Sequence, residues 1–394
     1  MRVIQQRRFC NRSKADIKVG IVTSLTGAYS ANYTTLEKAV NARFAVENAK
    51  GGVDGHKLTA VVADDTSSTA GVLSATQKLI KQDKVYAILD ASPVFFAAAA
   101  AAKAAEMPVI GASWDGGPEW TDKSYTTFFD TVGYEDYARA ATTFGKFFKS
   151  QGCTKVGGVG TKGPASGRSA EAAVISAQKV GLQKGYENTQ LPVGDTNTGP
   201  IVLGIKDSDT DCVFAGTDAT TALSMATSLK QNGVNMKLIL LPTGYGAALL
   251  NDKAAVQAAQ GVYFNTAVTP AEANTDATKA MQDALAKYAG EKGDPSFGDL
   301  TGWAVADLFV YGLKKAGGDA TQSEFVSELR SSTTWDEGGL YAKPTNFAHP
   351  PPVASALGPG NCTNIVKLAG DKFVPVDGAV PVCGDIVEGV DITQ

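Results

Sequence analysis

From Asp16 to Tyr33 the chain reads DIKVGIVTSLTGAYSANY, in which the apolar positions Ile17, Val19, Ile21 and Val22 stop abruptly at a loop of Thr, Ser, Gly and Tyr. The run predicts a buried strand that delivers a polar loop. Beyond the loop, Leu36, Ala39, Val40 and Phe44 recur at helical spacing, so a helix follows at once. The alternation continues along the chain, with strands expected at about Ile17, Leu58, Val85 and Val109, and again at Val156, Gln190, Val213 and Leu238. Helical patterns fall between them over 34–50, 68–83, 169–181 and 219–232. Strands that alternate with helices predict an α/β fold of parallel sheets covered on both faces. In such sheets small molecules bind at the loops beyond the carboxyl ends of the strands.

The chain also resembles itself. KVGIV at 18–22 returns as KVGGV at 155–159, VYAILD at 85–90 as VFAGTD at 213–218, and MPVIGASWDG from Met107 as MKLILLPTGY from Met236, at nearly constant offset. Two Rossmann-like lobes are expected, with two sets of strand-end loops facing one cleft. Further helical patterns follow at 276–290, 299–315 and 321–331, and then a Gly/Pro-rich tail. Neither half needs these segments for itself. They are read as returning first to one lobe and then to the other, through crossovers near Val132, Thr266 and Glu337. The expected division is 16–132 with 267–336 as the first lobe and 133–266 with 337–394 as the second, joined by a three-crossover hinge.

At 394 residues the chain is longer than one hydrophobic core sustains, which agrees with two lobes. A net charge of −4 without a basic patch argues against nucleic acid or an anionic membrane surface as partner. No apolar run reaches the roughly 18 residues of a membrane span. The first residues, MRVIQQRRFCNRSK, are basic like the start of a secretory signal but have no apolar region or small-residue cleavage site. Residues 1–15 are therefore set outside the fold, as a truncated leader, a misplaced start or a cloning remnant.

The five cysteines bear on the compartment. Cys362 and Cys383 flank a strand pair, NIVKLAGDKFVPV, that brings their ends together as a hairpin does. Cys153 and Cys212 each stand next to a predicted parallel strand at the same end of one sheet, and their sulfurs meet if those strands are neighbours. The alternative is that these two are reduced thiols in a core. Two disulfides with Cys10 left over fit an oxidising compartment. Cys10 is also a candidate for lipidation.

Several longer stretches, TGAYSANYTTLEKAVNARFAVENAKGGVDGHKLTAVVADDTSS, DASPV, MPVIGAS, VGDTNTGPIVLGIKDSDTDCVFAGTD, GVYF and GGLYAKPTNF, resemble the type I periplasmic-binding-protein fold. The nearest group is the branched-chain amino-acid-binding proteins of ABC transporters, and the resemblance runs in order through nearly everything after Ala15. It implies a monomeric solute receptor, periplasmic or on the cell surface. Such a receptor closes on one small molecule, an amino acid or an aromatic or carboxylate compound, and presents it to a membrane permease. It implies neither an enzyme nor a cofactor.

In amino-acid-binding members, loops of the first lobe hold the ligand carboxylate through a serine, a backbone group and a threonine. The loops that look equivalent here, DASPV and GASWDGG, place Ser92, Ser113, Trp114 and Asp115 at the cleft. Ser92 fits the pattern, whereas Asp115 stands where the threonine is expected and would repel a carboxylate. The second lobe supplies aromatics and an acid for the ammonium group, and the aligned positions are Ser166, Asp218 and Thr243, with Tyr245 beyond. The acid is missing at Thr243. Either Asp115 or Asp218 takes the ammonium, or the ligand is not an α-amino acid. Trp114, Tyr29, Tyr33 and Tyr245 would supply flat apolar surfaces for an aromatic or planar ligand.

Three other readings compete with this one. GVGTKG at 158–163 matches the dinucleotide fingerprint G-x-G-x-x-G, but Pro164 follows it and SLTGAYS in the first half lacks the pattern. The two histidines, His56 and His349, are expected at the surface, and no metal-spaced cluster, nucleophile elbow or phosphate loop is present. A ligand-sensing regulatory domain on the same fold is the third.

Overall fold

The computed structural model describes residues 14–163, 165–192 and 194–393, so Cys10 and the leader as far as residue 13 lie outside the described residues. The first half folds as the strand–helix alternation requires. Strand β1 (Ile17–Thr23) leads to helix α1 (Leu36–Asn48), β2 (Leu58–Asp64) to α2 (Thr69–Lys78), and β3 (Ile88–Asp90) to α3 (Phe96–Ala104), followed by β4 (Val109–Gly111) and β5 (Phe128–Asp130). The five strands form one sheet in the order β2-β1-β3-β4-β5, all parallel. A short strand β6 (Glu135–Asp136) leaves this sheet.

The second half repeats the pattern. Helix α4 (Thr143–Ser150) precedes β7 (Lys155–Thr161), α5 (Ser166–Lys179), β8 (Gln183–Leu191), α6 (Gly199–Asp207), β9 (Cys212–Gly216), α7 (Ala219–Gln231) and β10 (Leu238–Leu241). Short helices α8 (Ala247–Leu250) and α9 (Lys253–Ala258) lead to β11 (Tyr263–Thr266). The parallel order β8-β7-β9-β10-β11 is the order of the first sheet over again. The three repeated segments occupy matching places, β1, β3 and β4 in one sheet and β7, β9 and β10 in the other.

The returning chain forms α10 (Asp276–Ala284), α11 (Phe297–Ala316) and α12 (Gln322–Arg330) beside the first sheet, then β12 (Val353–Ala354), β13 (Cys362–Ala369), β14 (Lys372–Pro375) and β15 (Val382–Cys383). Strand β13 extends the second sheet antiparallel to β11, and β14 pairs antiparallel with β13 at the edge.

Each sheet buries both faces. On the first, Val19, Ile21, Leu89, Ile110 and Phe129 pack against α1, α11 and α12, while Ile88, Val109 and Phe128 pack against α2 and α3. On the second, Val159, Val213, Ile239, Leu241 and Phe264 face α6 and α7, while Val156, Phe214, Leu238 and Leu240 face α4 and α5. Double burial explains why β10 reads LILL without alternation. Close approach of α11 to α1 depends on Gly302, where a Cβ would meet the Leu36 carbonyl at 2.5 Å.

Four expectations change. The third crossover does not fall near Glu337, because Leu340, Tyr341 and Phe347 still pack in the first core. Trp335 there holds Tyr341 and Phe347 with ring centroids 5.5 and 6.2 Å away. The chain reaches the second lobe at Val353, where β12 runs parallel beside β6. The strand read near Gln190 begins at Gln183, and its edge position leaves polar Lys184 and Glu187 along it, which hides the period. Helices α3, α4 and α6 escaped the sequence reading; in α3 a run of alanines offers no apolar contrast to read. His349 is exposed as expected, but His56 is half-buried, with Nδ1 2.7 Å from the Ala15 carbonyl and Nε2 2.9 Å from Asp319.

Both expected disulfides form, Cys153–Cys212 with Cα atoms 5.9 Å apart and Cys362–Cys383 with Cα atoms 4.0 Å apart. The first is possible because β7 and β9 are neighbours, the second because β15 pairs with β13.

Candidate ligand site between the lobes

The strand-end loops of both sheets, together with the start of α11, enclose a cavity of about 190 Å³. The loop after β1 contributes Tyr29, Asn32 and Tyr33, and the loop after β4 contributes Trp114. From the second lobe come Ser166 at the start of α5, Asp218 at the start of α7, Thr243 and Tyr245 after β10, and Asn265 and Thr266 at the end of β11. Helix α11 adds Phe297, Leu300 and Thr301.

The loop after β1 is braced by its neighbour rather than left free. Asp64 accepts hydrogen bonds from the backbone of Leu25 at 3.0 Å and Thr26 at 3.2 Å and from the Thr26 hydroxyl at 2.6 Å. Its burial works in the other direction, yet these donors hold the carboxyl below its ordinary range. Ser24 donates to Asp65 at 2.7 Å, and the Tyr29 amide donates to Ser67 at 3.1 Å. Tyr29 is thereby presented to the cavity, and its phenol is raised above the ordinary value, first by burial and then by Asp218 of the other lobe.

The walls are largely aromatic. Phe297 lies 5.4 Å from Trp114 and 5.8 Å from Tyr33 between ring centroids, so α11 closes the first-lobe side with a packed aromatic face. The phenols of Tyr33, Tyr137, Tyr245 and Tyr341 also line the cavity and are all raised well above their ordinary value, chiefly by burial. They remain neutral hydrogen-bonding groups at physiological pH.

Charge at the site is sparse. Among the described lining residues there is no Lys, Arg or His, and Asp218 is the one acid. Asp218 caps α7, accepting from the Thr221 amide at 3.0 Å and the Thr221 hydroxyl at 2.7 Å. Thr243 donates to the Thr217 carbonyl at 3.0 Å, and the Tyr245 hydroxyl donates to Glu272 at 2.9 Å. Glu272 is pushed up to about 7, mainly by burial.

Of the nine residues read from the sequence as ligand contacts, the structure brings six to the cavity wall: Tyr29, Trp114, Ser166, Asp218, Thr243 and Tyr245. The other three are turned to structural tasks. Ser92 accepts from the Val94 amide at 3.2 Å. Ser113 donates to Glu135 at 2.5 Å and so ties β4 to the first crossover. Asp115 accepts from the Phe96 amide at 2.6 Å, the Trp120 indole at 2.7 Å and the Gly117 amide at 3.2 Å, behind the wall. In the loop after β4 the structure brings Trp114 to the cavity wall and turns its neighbours Ser113 and Asp115 away, where positive φ at Ser113 and Gly116 twists the turn. Asn265 and Thr266 were missed although β11 is the fifth parallel strand of its sheet, where the strand-end rule would have found them. Phe297, Leu300 and Thr301 come from a helix of the returning chain, and no periodicity signals that.

The glycines of GVGTKG have a packing role. Gly158 and Gly160 lie inside β7, and a Cβ on either would stand 2.7 Å from the carbonyl of Ala170 or Ser166 in α5. They let strand and helix touch and form no phosphate-binding turn.

Three comparisons place this geometry among known proteins. A family model described as periplasmic binding protein matches residues 16–352. A Leu/Ile/Val-binding protein homolog from Brucella melitensis is 23% identical over 316 residues, 78% of this chain and 82% of that protein. A fatty acid ABC transporter substrate-binding protein from Thermomonospora curvata superposes with a TM-score of 0.74 at 23% identity, over 95% of this chain and 93% of that one. An ABC transporter solute-binding protein from R. palustris, in complex with benzoate, also gives 0.74, at 18% identity over 96% and 100% of the two chains.

Proposed function

The chain belongs to the periplasmic binding protein family, and from that premise we propose that it is the extracytoplasmic solute receptor of an ABC transporter. It takes up a small amino acid or an aromatic or carboxylate compound and closes its lobes around it. The observation that carries this reading is the cavity itself, whose lining is drawn from the strand-end loops of both sheets. A ligand held there bridges the lobes, so binding and closure are one event. The relatives' printed ligands, Leu/Ile/Val, fatty acid and benzoate, are all small and mostly apolar, as the aromatic walls require. Two disulfides suit a periplasmic or cell-surface location. Among the described residues no helix is long and apolar enough to cross a membrane, so the permease is a separate partner in this reading.

Small-angle scattering with and without saturating solute tests the proposal, using branched and aromatic amino acids, benzoate and a medium-chain fatty acid as probes. The radius of gyration falls on binding, and Trp114→Ala weakens binding by about 1–3 kcal/mol, the scale of a buried aromatic side chain. Unchanged scattering with every probe, in protein shown to be folded, would reject it.

A further inference from the structure

The lobes also touch away from their crossovers. Building on the solute-receptor reading, we propose that Glu272 and Asp294 of the first lobe form a proton-dependent latch with the Tyr245 loop of the second, so that the receptor holds its solute more tightly in acid than in mildly alkaline surroundings.

Tyr245 and Leu249 belong to the second core. Glu272 lies between Val268 and Ala277, and Asp294 between Ala289 and Phe297, all four packed in or against the first core. Across this boundary the Tyr245 hydroxyl donates to Glu272 Oε2 at 2.9 Å and accepts from the Ala271 amide at 3.0 Å. Next to it the Ala247 amide donates to the Asp294 carbonyl at 2.8 Å. Gly246, with a φ of 116°, comes so close that a Cβ there would stand 2.5 Å from the Pro295 carbonyl. Edge strand β14 packs on the turn Ala271–Ala273. Closed lobes therefore cover both carboxyl groups, and opening returns them to water.

Glu272 Oε1 is buried and, among the described residues, receives no hydrogen bond; the group beside it is the Asp294 carboxyl. Two covered carboxylates resist being charged together, so the closed pair keeps one proton, taken from solvent. Burial first, and the charge of Asp294 after it, push Glu272 up to about 7, and burial raises Asp294 as well. The other charged groups on the packed elements are turned to water or paired. Asp276, Lys279 and Asp283 on α10, Lys372 on β14 and Lys292 are exposed, Glu291 pairs with Lys38 at 2.6 Å, and Asp252 caps α9. In open lobes both acids titrate in the ordinary carboxylate range, so closing near neutral pH takes up a proton. Closure is supported below about 7 and loses that support as pH rises through it.

Titration calorimetry tests the latch with L-leucine, L-phenylalanine, benzoate and decanoate, whose charges barely change between pH 6 and pH 8. The probe that binds loses about tenfold in affinity from about pH 6 to about pH 8, and at the lower pH binding takes up about one proton, read from the buffer dependence of the heat. Glu272→Gln keeps an acceptor for Tyr245 and offers Asp294 a permanent donor, so the pH dependence and the proton uptake vanish. Asp294→Asn does the same from the other side and decides if Glu272→Gln does not fold. Loss of a merely structural contact would lower affinity equally at both pH values. Wild-type affinity equal at both, or a decline that survives the substitutions, overturns the latch and leaves the solute-receptor reading standing. Failure of every probe to bind overturns that reading and the latch with it.

Discussion

Asp115 accepts three hydrogen bonds, from Phe96, Gly117 and Trp120, and so fastens the start of α3 and the loop after β4 to each other. Burial raises its carboxyl despite those donors, and its neighbour Glu119 is pushed up to about 9 by burial and then by Asp115. A residue so placed acts on stability and on the position of Trp114, not on ligand charge. Asp115→Ala is expected to cost about 1–3 kcal/mol in urea unfolding, because it leaves buried donors unpaired. Ligand charge preference measured on the folded protein should not change. A reversal of preference between cationic and anionic solutes would return Asp115 to the cleft.

At the scale of elements, the two disulfides fasten strands that the second sheet already sets side by side. Cys153–Cys212 joins the starts of β7 and β9 across 59 residues of sequence. Closing a loop of that length removes enough unfolded-state entropy to stabilise by about 4 kcal/mol as an upper figure, against about 3 kcal/mol for the 21-residue separation of Cys362 and Cys383. Thermal unfolding of the Cys153→Ala/Cys212→Ala double variant should therefore fall further than that of the Cys362→Ala/Cys383→Ala variant. The opposite ranking would show that packing at the replaced sites outweighs loop entropy. Helix α11 is held by a capping box between Ser296 and Asp299, which sets the register that brings Phe297 beside Trp114.

For the whole molecule the crossovers matter most, because closure must pass through them. Asp130 ends β5 where the chain leaves the first lobe. It is pushed up to about 7, first by burial and against the amide donors Val132 and Glu135. Glu135, which pairs Ser113 with the Ala356 amide across the crossings, is raised well above its ordinary value by burial and then by Asp130. A raised carboxyl holds its proton longer in the fold than in the unfolded chain. Its contribution is thus full below the unfolded value of 3.8 and is lost as pH climbs to about 7. Urea midpoints should decline between pH 5 and pH 7.5, and Asp130→Asn should flatten the decline. A midpoint that rises over that range would contradict the burial of a protonated pair at the hinge.

What the sequence alone determined was local and repetitive. The apolar runs at β1, β7, β9 and β10, the helical spacing of α1 and α7, and the return of KVGIV as KVGGV were enough for two parallel sheets of the same design. The strand-end rule put Tyr29 near a cleft, the family resemblance added Trp114 and Asp218, and the cysteines beside neighbouring strands placed both disulfides. Apart from the resemblance, those features rest on periodicity and adjacency, which a linear string records. Tertiary structure decided which face of each loop looks inward: the twist at Ser113 and Gly116 turns Trp114 to the cavity and Asp115 away from it. It also decided what the returning chain contributes, since Phe297 and Tyr341 reach the cavity only through packing between segments distant in sequence. The aromatic cluster around Trp335 likewise keeps residues 340–347 on the first lobe, and no local pattern there distinguishes one lobe from the other.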